Sequence, residues 1–141
     1  MISHGKEMQF PPGVSFDEEL RLMIFRPRGI FDAKMVAEVV QFLETEEDQL
    51  DHPFNRFTDT SKLDAVDLDE RFLYRIALHR RRFYDGRPPV KSAFYVTSSA
   101  AGHYIRIHAV VTEHSPLKVK MFREVDYAAE WLDVPRSVLE E

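Results

Sequence analysis

The sequence predicts an α/β protein built on one mostly parallel β-sheet. Stretches typical of strands alternate with amphipathic stretches typical of helices. The eight prolines and five glycines fall mainly between these stretches, where they end elements without interrupting them. A chain of 141 residues, 44% of them hydrophobic, is long enough to enclose the core of one domain. Alternating strands and helices imply parallel strands joined by right-handed crossovers.

The strands are predicted from short runs of β-branched, aromatic and other apolar residues. The predicted strands lie near residues 20–26, 55–59, 90–96 and 118–122. Residues 14–16 can pair with the first of these as an edge hairpin. The chain is then expected to turn at Gly29 before its first helix.

The helices are predicted from apolar residues that recur with the helical period and from residues that favour N-caps. They are expected near residues 33–47, 70–84, 99–114 and 125–132. Asp32 and Asp69 are suitable N-caps for the first two. The expected organisation is an N-terminal arm (1–13), one domain (14–134) and a C-terminal tail (135–141) that frays.

Composition excludes several classes of protein. The chain has no cysteine, which rules out disulfide scaffolds, thiolate metal sites and cysteine nucleophiles. Its net charge of −5 argues against nucleic acid as a partner. No apolar run approaches the ~20 residues of a membrane helix. Residues 1–5 do not resemble the start of a signal peptide, so we expect a cytoplasmic protein that is not transmembrane.

Several short motifs occur in a characteristic order along the chain. They are Gly29 before the first helix, Asp59-Thr60-Ser61 followed by an acidic turn, Arg80-Arg81-Arg82-Phe83, the small-residue turn 98–102, and Ala128-Ala129-Glu130-Trp131-Leu132. From Phe16 to Val134 the chain resembles the SpoIIAA-like family of the STAS superfamily, and the last motif is the most specific. The resemblance implies a βαβαβα order with the helices mainly on one face of the sheet. It also implies a non-catalytic interaction or regulatory module, although some relatives bind lipids or other apolar ligands.

One position separates this chain from the phosphorylated members of that superfamily. Anti-sigma-factor antagonists carry Asp-Ser-Ser-Gly at the start of the second helix, and the second serine is modified. The matching residues here are Asp67-Leu68-Asp69-Glu70. A carboxylate, Asp69, therefore stands at the position of the phosphorylated serine. We expect no phosphorylation switch there and interpret Asp69 as a helix cap.

Two turns are candidates for a weak ligand site at the carboxyl edge of the sheet. Both follow predicted parallel strands, and ligands of open α/β sheets favour that edge. The candidate residues are Asp59, Thr60, Ser61, Ser98, Ser99 and Gly102. Hydroxyl groups and free amides at a helix start suit an anion or a small apolar ligand with a polar head. The plainer interpretation of Ser98 is an N-cap in a tight turn.

The second helix carries the one strongly basic stretch of the chain. Arg71, Arg75 and Arg82 share a face by spacing. This face is either solvated or a weak surface for an acidic protein partner or membrane headgroups.

No reaction chemistry is evident, and enzyme activity is the least favoured function. His103, His108 and His114 are five and six residues apart, which does not suit a helical metal pair, so no metal site is expected. There is no nucleophile elbow and no glycine-rich phosphate loop, so neither a catalytic residue nor a cofactor is expected. Aromatic residues make up 12% of the chain, which exceeds what a small core requires, and together with the arm they predict self-association as a dimer. Two functions remain, an interaction module and a carrier or sensor of a small apolar or anionic ligand.

Overall fold

The fold rests on a five-stranded sheet, seen in a computed structural model that describes residues 10–49 and 53–141. In chain order the elements are β1 (Val14–Asp17), β2 (Leu22–Phe25), β3 (Gly29–Asp32), α1 (Ala33–Gln49), β4 (Asn55–Asp59), β5 (Leu63–Asp67), α2 (Glu70–Tyr84), β6 (Val90–Tyr95), α3 (Ser99–Val111), β7 (Leu117–Phe122), α4 (Val125–Leu132) and α5 (Arg136–Leu139).

The main sheet has the strand order β1-β2-β4-β6-β7. Strands β2, β4, β6 and β7 are parallel, and β1 pairs antiparallel with β2 in a hairpin that aligns Val14 with Phe25. The α/β class, the parallel sheet, its four predicted strands and the edge hairpin are therefore confirmed.

Two short strands were not predicted. Gly29–Asp32, expected to be a turn, forms β3, and Leu63–Asp67, expected to be an acidic turn, forms β5. The two pair in parallel as a separate small sheet. Phe31 and Val66 pack from this sheet against the main core. Glycine and aspartate are typical of turns, so local sequence predicts turns in these segments. Each segment forms a strand because it pairs with a partner more than thirty residues away.

The three long helices cover one face of the sheet. The side chain of Asp32 accepts a hydrogen bond from the amide of Met35, and Asp69 accepts one from the amide of Arg71. Both predicted caps are thereby confirmed. Met23 and Phe25 of β2 pack beneath these helices. None of the helices in the described part of the chain is long and apolar enough to cross a membrane.

The two short C-terminal helices cover the opposite face. Trp131 of α4 packs against Phe122 of β7, with 5.6 Å between ring centroids. Leu139 of α5 is only 1% exposed, so the tail that was expected to fray is docked. Its carbonyl oxygen accepts a hydrogen bond from Arg26, which in turn pairs with the Asp59 carboxylate at 3.2 Å. Burial of Leu139 and this polar contact hold in place a segment that was expected to fray.

The predicted N-terminal arm lies mostly outside the described residues. Within the described part, the ring of Phe10 contacts that of Phe42 on α1, with centroids 5.4 Å apart. Met8, another apolar residue of the arm, lies outside the described residues.

Candidate functional site

An apolar cavity lies between the main sheet and the three long helices. Its volume is about 70 Å³, several times the ~10–15 Å³ that one water molecule needs. Most of the lining is aliphatic or aromatic and comes from β2, β3 and all three helices. The apolar lining includes Met23, Phe25, Phe31, Val39, Leu43, Leu73 and Ile105.

Polar side chains also reach this cavity. Arg56 and Thr58 lie on the helix-facing side of β4, opposite Ser92 and Phe94 of β6 in the parallel register. The polar lining is completed by Arg80 of α2 and His108 of α3. The cavity therefore combines an apolar wall with two buried guanidinium groups and one imidazole.

Arg56 is neutralised by a buried network. Its Nη2 pairs with Glu47 at 2.5 Å, its Nη1 donates to the Tyr84 hydroxyl at 2.8 Å, and that hydroxyl donates to Glu47. Burial alone would lower the pKa of Arg56, but the interactions with Tyr84 and Glu47 outweigh burial, so its pKa is raised. Arg56 and Glu47 thus form a buried ion pair, in which Nε of Arg56 has no hydrogen-bond partner among the described residues.

Arg80 has no such carboxylate partner among the described residues. Its side chain is deeply buried, with the residue only 4% exposed. Nη1 lies 3.0 Å from Nε2 of His108, whereas Nε and Nη2 are buried and form no hydrogen bond in the described structure. The guanidinium also lies over the Tyr84 ring at 5.8 Å. Arg80 is therefore a buried cation with two free donors beside an apolar cavity.

His108 is uncharged in this setting. Burial, and then the positive charge of Arg80, lower the pKa of His108 to about 3. A guanidinium can only donate, so Nε2 of His108 accepts and the ring proton resides on Nδ1. That Nδ1 is enclosed and has no partner among the described residues. It is a further hydrogen-bond donor on the cavity wall.

The side chains of the first predicted ligand turn form hydrogen bonds within the protein. Asp59 is buried, and its Oδ1 accepts from the amide and the hydroxyl of Ser61 while its Oδ2 accepts from Arg26. The hydroxyl of Thr60 donates to the carbonyl of Tyr95 at 2.7 Å. This contact joins the carboxyl ends of β4 and β6.

The second predicted turn follows β6 and begins α3. Ser98 accepts a hydrogen bond from the amide of Ala101, which makes it the N-cap of that helix, while Ser99 is exposed. Gly102 is buried, and a Cβ there would lie 3.6 Å from Sδ of Met121 and from Cγ1 of Val96. The two turns thus share one edge of the sheet. No hydrogen bond in the described structure links their side chains, and neither lines the cavity. A ligand site on them stays a prediction.

The predicted basic face lies on the outside of α2. Arg71, Arg75 and Arg82 are exposed, whereas Arg80 of the same helix turns inward. Three histidines pair with carboxylates at the surface, His79 with Glu44, His103 with Glu70 and His114 with Glu113. In the described ranges, no three His, Asp or Glu side chains are grouped to hold a metal ion.

The cavity residues were missed as functional candidates in the sequence. Arg80 belongs to a basic helix for which the sequence predicts a solvated face, and Arg56 lies within a short predicted strand that has no functional motif of its own. A signal existed, since Leu73, Ala77, Arg80 and Tyr84 follow the helical period and all are buried. An arginine in register with that buried face marks a cation directed into the core.

Comparison with known proteins shows a likeness in fold. No protein-family profile and no curated protein matches the chain. The chain is similar to a solved structure of an uncharacterized protein of the DUF3478 family, with a SpoIIAA-like fold, from Shewanella loihica PV-4. The identity is 17%, the match covers 79% of this chain and 83% of that one, and the TM-score is 0.50. The chain is a single α/β domain with a SpoIIAA-like fold, as the sequence motifs predicted.

Proposed function

We propose that this protein is a carrier or sensor that binds a small ligand with an anionic head and an apolar body. The binding site is the cavity beneath α1, α2 and α3. The observation that supports this proposal is Arg80, a buried cation whose Nε and Nη2 have no hydrogen-bond partner in the described structure.

A bound anion would offset the cost of burying the donors of Arg80 without a partner. A buried donor without a partner costs roughly 1–3 kcal/mol, and more when it is charged. An anionic group seated on Arg80 would satisfy both donors and neutralise the charge. The apolar wall around it would gain from the burial of an apolar body at about 25 cal/mol per Å². Such a ligand would thus give Arg80 a partner and bury its own apolar surface against the cavity wall.

Binding without turnover fits the arrangement of the polar groups. Ser92 and His108 both line the cavity, yet no hydrogen bond joins them. Nε2 of His108 already faces Arg80 and is not available to activate a hydroxyl. Among the described residues that line the cavity, none is a carboxylate that would serve as a general base.

The test compares two arginines of the same helix. Thermal unfolding would be followed with acetate, butyrate, methanesulfonate and inorganic phosphate at matched ionic strength. At least one anion should raise the melting temperature of the wild type and of the exposed control Arg75→Met by several degrees. It should not shift Arg80→Met. No shift in the wild type, or an equal shift in Arg80→Met, would contradict the proposal.

A second candidate function is a protein-interaction module, as the sequence resemblance implies. The observation that favours it is an exposed aromatic residue on the basic face of α2, since Tyr74 is 53% exposed between the exposed Arg71 and Arg75. Aromatic and arginine side chains are enriched at interfaces, and this face suits an acidic protein.

A twofold contact between two such faces would bring like charges together, so the predicted dimer would use another surface. Sedimentation at micromolar concentration tests the dimer, and Tyr74→Ala should leave its association unchanged.

A further inference from the structure

We infer that the ligand of the cavity is a short-chain monocarboxylate, bound through two parallel hydrogen bonds to Nε and Nη2 of Arg80. This inference rests on the proposed function and specifies its ligand.

The pattern of free donors on Arg80 points to a carboxylate. In a guanidinium, Nε and Nη2 lie on the same edge, and their N–H bonds are nearly parallel. Here both atoms of that edge are without partners, while Nη1 is occupied by His108 at 3.0 Å. A planar carboxylate presents two oxygens that match this edge, which is the common bidentate geometry of Arg–carboxylate pairs. His108 holds Nη1 and thus acts as a positioning residue for the free edge.

The charge of the cavity points to a monoanion. Arg56 is paired with Glu47, and His108 is neutral, so Arg80 contributes the one uncompensated charge of the described cavity wall. A carboxylate cancels this charge. A phosphate dianion would bring a second charge, and its oxygens directed at the apolar wall would lack donors.

The volume points to a short chain. The cavity of about 70 Å³ is roughly half the ~150 Å³ of an engineered apolar cavity that binds benzene. It has room for a carboxyl group followed by roughly two or three carbons. A longer chain would have to displace packed side chains such as Leu43 or Leu73, which are 4% and 6% exposed.

The experiment measures affinity and contact in the same protein. Calorimetric titrations at matched ionic strength would use acetate, propionate, butyrate, hexanoate and inorganic phosphate. Propionate or butyrate should bind at least ten-fold more tightly than hexanoate and phosphate. Arg80→Lys should weaken binding at least ten-fold, because an ammonium cannot offer two parallel donors, whereas Arg75→Lys should have no effect. In wild-type protein the NMR signal of the Arg80 Nε–H should move when butyrate binds.

The outcomes distinguish the inference from the proposed function. Tight binding of phosphate with weak binding of all carboxylates, abolished by Arg80→Met, would overturn the carboxylate and leave the proposed function standing. Unchanged butyrate affinity in Arg80→Lys, or an unmoved Arg80 Nε–H signal in the saturated wild type, would overturn the bidentate contact. Failure of every anion to bind the wild type would overturn both. The NMR measurement needs no variant, so it tests the contact between Arg80 and butyrate even if Arg80→Lys does not fold.

Discussion

Arg80 on α2 and His108 on α3 are joined by a hydrogen bond of 3.0 Å across the interface of the two helices. The bond places a cation next to an imidazole, and burial together with that cation lowers the pKa of His108 to about 3. The contact therefore couples the packing of α2 against α3 to the protonation of one side chain.

We predict that His108 makes the folded state less stable in acid. Its pKa in the unfolded chain is about 6.5 and in the folded protein about 3, so the unfolded state binds more protons between these values. This contribution is fully present above pH 6.5 and is lost as the pH falls toward 3. The loss is about 1.4 kcal/mol per pH unit, or about 2 kcal/mol at pH 5.

Urea unfolding of the wild type and His108→Gln at pH 7 and pH 5 measures this effect. The glutamine retains an acceptor for Arg80 but does not titrate. The wild type should lose about 2 kcal/mol more than the variant between the two pH values. The control is His114→Gln, whose side chain is 93% exposed and which should behave as the wild type does. If the wild type and His108→Gln lost equal free energy of unfolding between pH 7 and pH 5, the pKa of His108 would not be lowered by folding.

We predict that Glu47→Gln destabilises the protein by roughly 3–5 kcal/mol, because it leaves Arg56 as an uncompensated buried charge. Glu47 and Arg56 are 5% and 1% exposed, and their contact is 2.5 Å. Asp48→Asn, which removes an exposed partner of Arg87, should cost at most about 1 kcal/mol. Adding Arg56→Met to Glu47→Gln should recover part of the loss in a double-mutant cycle measured by urea unfolding. A double variant less stable than Glu47→Gln would argue against an ion pair as the cause.

The sequence predicted the main strands and long helices of the molecule better than the residues of its cavity. The main strands and long helices could be read from local periodicity, and the caps Asp32 and Asp69 from residue type alone. The pairing of β3 with β5 could not be predicted, because the strands are only four and five residues long and each is stabilised by a distant partner. Arg80 was interpreted as solvated because nothing local shows that it meets His108, which is 28 residues away. Burial of a charge depends on tertiary contacts, and these lie beyond a local pattern.

We predict that Leu139→Ala lowers the free energy of unfolding by about 2–5 kcal/mol, the usual cost of truncating a buried leucine. Leu139 is 1% exposed and packs with Phe57 and Leu132 in the core beneath α4. Ser137→Ala, at an exposed position of the same short helix, should change stability by less than about 0.5 kcal/mol. Urea unfolding measures both variants. If Leu139→Ala changed the free energy of unfolding by as little as Ser137→Ala does, the C-terminal segment would fray in solution, as its sequence suggested.

The start of α3 and the interior cavity are the two candidate ligand sites, and serine and arginine variants distinguish them. Ser98 and Ser99 begin α3 at the sheet edge, whereas Arg80 faces the interior cavity. If the cavity is the site, the double variant Ser98→Ala, Ser99→Ala should keep the ligand-induced rise in melting temperature that the wild type shows with butyrate, and Arg80→Met should lose it. The unliganded double variant should unfold more easily by about 0.5–2 kcal/mol, because Ser98 caps the helix. Loss of the butyrate effect in the serine variant, with retention in Arg80→Met, would move the site to the edge of the sheet, where the sequence had first placed it.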